Sequence, residues 1–225
     1  YLGNNVAPNG LEGTPEDIKG QVKPRVFGRV YSATPVPVNN SKLIYQVTDG
    51  PFTSIAGALD GGVSLTLGAL RANSAALLAT APAAGYVDYC PSEGLVRLGS
   101  TPTKQLVVGV DQGGYTAGGS GLGTNQTVAQ IVKAIAIEAG LAPSEISAAD
   151  ITALDASNPS IVGIYINDES TTQECIDKLL GSIGGYCTFD SSGVLRLGIL
   201  TAPVGTPVMT LEEYDIHEGI ERKAP

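Results

Sequence analysis

Residues 111–125 read Asp-Gln-Gly-Gly-Tyr-Thr-Ala-Gly-Gly-Ser-Gly-Leu-Gly-Thr-Asn, and they constrain the fold of this 225-residue chain more than any other stretch. So polar and glycine-rich a run buries too little apolar surface to offset its ordering entropy, so a flexible linker is expected over 113–125. The hydrophobic pattern changes across it. Before it, apolar residues mostly alternate with period two; after it, they recur at i, i+3, i+4 and i+7. The expected fold class is α+β. A turn-rich, mainly β first domain over 25–112, barrel-like or a mixed sheet with one short helix, is followed by a smaller α/β helix–strand–helix–hairpin domain over 126–203. Residues 1–24 are expected to form an extended N-terminal segment and 204–225 an acidic C-terminal segment. With 29 glycines and 14 prolines, the chain is too rich in turns for a helix bundle.

Several strands are legible in the first part. Arg25-Val-Phe-Gly-Arg-Val-Tyr31 alternates, with Val26 and Val30 facing one way. Leu43–Thr48, Phe52–Ala58 and the period-two run Val63-Ser-Leu-Thr-Leu67 follow, separated by the turn signals Asp49-Gly50 and Asp60-Gly61-Gly62. Pro35 and Pro37 cannot donate to a ladder, so the stretch around them is expected to be a loop or an edge. Ser74–Ala81 is expected to be a short helix closed by Pro82. Tyr86–Cys90 and Leu95–Leu98 flank a Pro-Ser-Glu-Gly turn as a hairpin, and Gln105–Val110 is a further strand.

Beyond the linker, Val128, Ile131, Val132 and Ile135 mark a helix over Thr127–Ala139 with Gly140 as its stop. Ser147-Ala-Ala-Asp150 and Thr171-Thr-Gln-Glu174 have the form of capping boxes opening two more helices. Ile161–Ile166 reads as a strand, and Tyr186–Phe189 with Val194–Ile199 as a hairpin. That hairpin echoes the earlier one: each follows a helix, turns through Ser and Gly, and ends in an apolar-Arg-Leu-Gly strand. The echo is either a duplicated module or two uses of a common supersecondary unit. Arg97 and Arg196 are expected to face solvent or to pair with an acid on the next strand.

Chemical motifs are sparse. A phosphate loop needs a Lys after its glycines, and the run over 113–123 has none. Gly118-Gly-Ser-Gly-Leu-Gly123 only grazes the serine-hydrolase elbow, and the single His217 sits among Asp215 and Glu218. Asp168-Glu169 and Glu212-Glu213 are paired carboxylates, but Trp is absent and Phe scarce, so sugar-stacking platforms are few. Cys90, Cys175 and Cys187 have neither zinc spacing nor a disulfide framework and read as small buried hydrophobes; a Cys175–Cys187 bridge is geometrically conceivable. No calcium loop is present. No catalytic residue, cofactor or metal is expected, and the chain is read as a non-enzyme.

The formal net charge is −9, which argues against a generic nucleic-acid binder. The charge is unevenly distributed. Residues 1–137 hold 9 basic and 8 acidic side chains, whereas residues 138–225 hold 4 basic and 14 acidic ones. Within the near-neutral part, Lys19, Lys23, Arg25 and Arg29 form a basic cluster. They are candidate subunit-contact residues, meeting the acidic face of a neighbouring copy; otherwise they are a solvated start to the first strand. No apolar run approaches 18 residues, so no membrane span is expected. No signal peptide is visible, and the ends at Tyr1 and Pro225 suit an excised piece of a longer protein.

The run Gly10-Leu-Glu-Gly-Thr-Pro-Glu-Asp-Ile-Lys-Gly-Gln-Val-Lys-Pro-Arg-Val-Phe-Gly28, together with Leu43-Ile-Tyr-Gln-Val-Thr-Asp-Gly-Pro51, resembles a segment of tail proteins of tailed bacteriophages and prophages. Glu138-Ala-Gly-Leu141 and Gly163-Ile-Tyr-Ile-Asn-Asp-Glu169 fit the second part of that pattern. The resemblance implies a tail-tip or baseplate hub-like structural component acting in virion assembly and host attachment. It also implies a homo-oligomer, with a trimer favoured, bound to other tail proteins. Its place would be the virion tail, assembled in the bacterial cytoplasm and encoded in a bacterial genome as a prophage. A receptor- or glycan-binding module, with contacts in loops 32–42 and 111–125, is the alternative, and a cell-wall hydrolase using Asp168 or Glu169 a more distant one. The resemblance carries no functional residue across, and as a fold-level analogy it is an association only.

Overall fold

The computed structural model describes Ile18, residues 20–113 and residues 126–201. The N-terminal segment up to 17, Lys19, the linker over 114–125 and the acidic segment from 202 onward, with Glu212-Glu213 and His217, lie outside the described residues.

The fold is mixed α/β, built on one large curled sheet of nine strands with a few helices. The strands are β1 (Arg25–Ala33), β2 (Val36–Asn39), β3 (Ile44–Gln46), β4 (Phe52–Asp60), β5 (Val63–Leu70), β6 (Tyr86–Cys90), β7 (Leu95–Leu98), β8 (Leu106–Gly113) and β9 (Gly163–Ile166). Their order across the sheet is β2-β3-β7-β6-β5-β4-β8-β1-β9. The helix α1 (Ser74–Ala79) carries the chain from β5 to β6, and these two strands run parallel, Leu67 opposite Val87. The other ladders between named strands are antiparallel. Pro37 lies in β2, the terminal strand, where its missing donor costs no ladder bond.

The curl follows from the packing. Val26 and Val30 of β1 share one buried cluster with Phe52 and Ile55 of β4, Val87 of β6, Val96 and Leu98 of β7, and Val108 and Val110 of β8. Strands distant in sheet order can meet in one cluster only if the sheet wraps around it. The stretch after β3 fastens the wrap. Val47 N–H donates to Gly94 O at 2.8 Å, Asp49 N–H to Pro24 O at 2.6 Å, and Val26 N–H to the buried Thr48 Oγ1 at 3.1 Å. A second cluster, with Val36, Val38, Ile44 and Leu95, is covered by Leu77 of α1 and by Ile18.

The remaining elements are α2 (Val128–Glu138), α3 (Ala148–Ser157), α4 (Thr172–Gly181), β10 (Gly185–Phe189) and β11 (Leu195–Ile199), the last two forming a separate two-stranded sheet. Their apolar faces gather with Phe27 of β1 and Ile164 of β9 into a third cluster. Residues from after the Gly-rich stretch thus extend the large sheet itself, since Phe27 pairs with Ile164 and Arg25 with Ile166. Each fully buried Ile or Val of α2, such as Ile131 and Val132, contributes about 1.5–3 kcal/mol.

The capping signals have two outcomes. Thr171 and Glu174 make the full reciprocal box, with Thr171 N–H donating to Glu174 Oε2 at 2.7 Å and Glu174 N–H to Thr171 Oγ1 at 3.2 Å. At α3 only half the expected box forms. Ser147 Oγ accepts from Asp150 N–H at 3.3 Å, but the Asp150 carboxylate turns to Arg196 at 2.6 Å. A charged donor outcompetes a backbone amide for a carboxylate.

Candidate functional site

The described members of the basic cluster all have acidic partners within the chain. Lys23 lies 3.8 Å from Asp49. Arg25 pairs with Glu138 at the end of α2, and its guanidinium sits 5.1 Å from the centre of the Phe27 ring. Arg29 reaches Asp111 of β8 through two hydrogen bonds, at 2.7 and 3.3 Å. That contact raises the Arg29 pKa. Burial pushes the Glu138 carboxyl up, although Arg25 opposes the shift. Lys19 lies outside the described residues. Arg25 and Arg29 therefore fix the start of β1 to α2 and β8, and the charges of Lys23, Arg25 and Arg29 are matched within the chain.

The most unusual surface lies elsewhere. In an open sheet the middle strands are ordinarily the most covered. Here β5 is fifth of nine, yet none of its eight residues is buried. Val63 and Leu70 are 69% and 64% exposed, and Leu67 is exposed as well. The cause is visible in the register. β5 pairs with β4 only over Val63–Leu65 and then runs on beside β6. Beside it is a groove of about 400 Å³ lined by Tyr31, Ala56, Gly57, Leu59, Leu65, Leu67 and Gly109 among others. Gly57 and Gly109 are paired across β4 and β8. A Cβ added at Gly57 would meet nothing within 4 Å, so the groove is open there. Tyr31 beside it is 68% exposed, and no charged residue lines the groove. The alternation in Val63-Ser-Leu-Thr-Leu67 signals an apolar strand face, but nothing in the sequence says that the face is left uncovered.

The other candidates are structural in their settings. Asp168 accepts from the Ser170 hydroxyl and backbone N–H, which hold its carboxyl below the ordinary range. The three cysteines are free; Cys90 and Cys175 are buried and Cys187 half-buried, and burial pushes all three thiols up, away from nucleophilic use. Among the described residues no group of three or more His, Cys, Asp and Glu side chains is placed to hold a metal ion. Nor is any helix among them long and apolar enough to cross a membrane.

The expectation is corrected for Arg97, while Arg196 is exposed to solvent, as one of its two alternatives had it. Arg97 neither faces solvent nor spends its donors on an acid; it is 6% exposed and donates to Lys42 O at 3.1 Å, Leu77 O at 2.8 Å and Leu78 O at 2.7 Å. It caps the open carbonyls at the end of α1. Arg196 does pair with acids, Asp150 of α3 and Asp190 of its own turn, neither of them on a neighbouring strand. Comparison with known proteins found no matching family model, no matching curated protein and no matching solved structure.

Proposed function

We propose that this chain is a structural, non-enzymatic component of a bacteriophage or prophage tail, acting at the tail tip or baseplate hub in virion assembly and host attachment. It acts there as a homo-oligomer, with a trimer favoured, in contact with other tail proteins. The tail assignment rests on the resemblance of 10–28 and 43–51 to such proteins. The observation that carries the assembly part is the bare apolar β5 in the middle of the large sheet. Apolar side chains such as Val63, Leu67 and Leu70 left exposed on a central strand are the kind of surface through which native proteins make contacts. Within the assembly we read two units, a barrel-like 25–112 and a smaller helix–strand–helix–hairpin unit over 126–203, with separate buried clusters on opposite sides of β1.

The test is mapping in purified particles. Mass spectrometry of virions from an induced host strain is expected to find the chain, and gold labelling is expected to fall at the tail end. Absence from the particle would remove this reading. Hydrolysis of peptidoglycan that disappears in Asp168→Asn or Glu169→Gln would replace it with an enzymatic one.

A further inference from the structure

We infer that the first part of the C-terminal segment, residues 202–211, docks in an apolar groove on the helix–hairpin unit of its own chain, with Val208, Met209 and Leu211 as the inserted side chains. The groove has a volume of about 190 Å³ and lies between the end of α2, the start of α4 and the β10–β11 hairpin. Ala136, Leu141, Ile176, Cys187, Phe189 and Leu195 give it an apolar lining, and no charged residue is among those that line it. Phe189 is 57% exposed although it lines the groove, so a large aromatic ring is left in water there.

Reach favours this segment as the occupant. The described chain stops at Thr201, and Leu200 N–H donates to Gly184 O at 2.9 Å, just past the end of α4. Thr172 and Gln173, at the opposite end of the same helix, line the groove. The 10 residues of α4 make it about 15 Å long. An extended chain covers that distance in about five residues. Residues 202–206 are thus long enough to span it, which brings 207–211 to the groove. Pro203 and Pro207 disfavour a helix over the spanning residues and suit an extended run.

Composition agrees. Residues 202–211 hold no charged side chain, whereas Glu212 and Glu213 follow at once. Placing this run in an uncharged groove leaves no charge unpaired, and the two acids stay in water at its end. Met209 is the only methionine of the chain, and a flexible thioether side chain suits an irregular hollow.

The size of the groove selects a tethered occupant over a separate molecule. At about 190 Å³ it is smaller than the roughly 300–1,000 Å³ of ordinary small-molecule sites. It also offers far less surface than the about 800 Å² that each side of a stable interface between separate proteins buries. A segment joined to the hairpin that lines the groove needs no such area, because a short linker gives it an effective concentration of about millimolar order.

Photo-crosslinking in the full 225-residue chain tests this. A photoreactive residue in place of Met209 is expected to link, within a single chain, to peptides containing Ile176 or Phe189. Links that join two chains, or no link to the groove, would overturn the inference. Cys187 supplies a second readout, since it lines the groove and is half-buried, while Cys90 and Cys175 are buried. Met209→Asp and Leu211→Asp are each expected to speed alkylation of Cys187 about tenfold or more by emptying the groove. Ile220→Asp, beyond the docked run, is expected to leave the rate at the wild-type level. Slow reaction of Cys90 and Cys175 throughout confirms that each variant is folded. A Cys187 rate that is the same in the wild type and both of the first two variants would overturn the inference as well. None of these outcomes bears on the tail reading, which particle mapping tests separately.

Discussion

The two echoing units, α1–β6–β7 and α4–β10–β11, share a pattern of residues but not a set of neighbours. The first is built into the nine-stranded sheet, with β7 flanked by β3 and β6 and all four of its residues buried. The second makes a two-stranded sheet of its own, in which most residues of β10 are exposed. The difference teaches that a helix-plus-hairpin sequence specifies its own local form, while the cost of changing any residue in it is set by what packs around it. The turn glycines give the largest test. Gly94 and Gly193 both have positive φ, 69° and 80°. A Cβ at Gly94 would lie 2.0 Å from Thr48 O and 2.6 Å from Gly50 O, whereas one at Gly193 would meet nothing within 4 Å. Gly94→Ala is expected to lose at least about 4 kcal/mol, because backbone must shift. Gly193→Ala should lose about 1–2 kcal/mol, the left-handed backbone cost alone. Urea unfolding of both variants checks this, and equal losses would break the comparison.

The paired arginines come next. Arg97→Met leaves three backbone carbonyls, two in α1 and that of Lys42, without their charged donor and is expected to lose about 3 kcal/mol. The Arg196 side chain is 47% exposed and binds its acids in contact with water, so Arg196→Met should lose less than about 1 kcal/mol. Burial lowers the Arg97 pKa even though Asp88, opposite it in the ladder, acts to raise it. Asp88 itself is held by Arg71 and by Ala69 N–H, so it does not take up the Arg97 donors.

The same contrast explains how much could be read from sequence. Local patterns were legible: Val128, Ile131, Val132 and Ile135 do form the buried face of α2, and Thr171 with Glu174 does cap α4. Turn chemistry placed both hairpins. What the alternation of β7 could not reveal is that both of its faces are covered, Val96 and Leu98 by the inside of the curl, Leu95 by the cluster under α1. That depends on a crossover helix joining parallel strands, a long-range fact with no local signature. For the candidate site the position is reversed. The basic residues at 23–29 are conspicuous in sequence, yet their acids at 49, 111 and 138 are far away in the chain, so the matching of charge is invisible until the fold is known. β5 is legible as a strand in the sequence, but its exposure depends on its neighbours' registers.

Close packing around the first unit also includes one costly group. Gln46 of β3 lies opposite Leu95 of β7, fully buried, with neither its amide nitrogen nor its oxygen hydrogen bonded. An unpaired buried amide is destabilising by about 1–3 kcal/mol. Gln46→Met, close in volume, is expected to raise stability by about 1–2 kcal/mol. No gain in the urea midpoint would mean that the amide is satisfied after all, and the contrast between a tightly packed first unit and an open second one would narrow.

The smallest expected effect separates the units by pH. In the second unit, the Ser192 hydroxyl, then the Val194 N–H, hold the Asp190 carboxyl below its ordinary range, and Arg196 does the same for Asp150. An acid whose folded pKa is depressed adds stability that is fully present above its unfolded value. That stability is lost as pH falls through the folded value. Asp190→Asn is therefore expected to melt below the wild type at neutral pH, and the gap should close once both carboxyl values have been passed on acidification. The carbonyls that Arg97 caps do not titrate, so the Arg97→Met deficit should hold steady over the same range. Melting curves of the three proteins from neutral to strongly acidic pH decide it. A gap for Asp190→Asn that persists at the acid end would show that its hydrogen bonds, and not its charge, order the turn. The two units would then differ in packing alone.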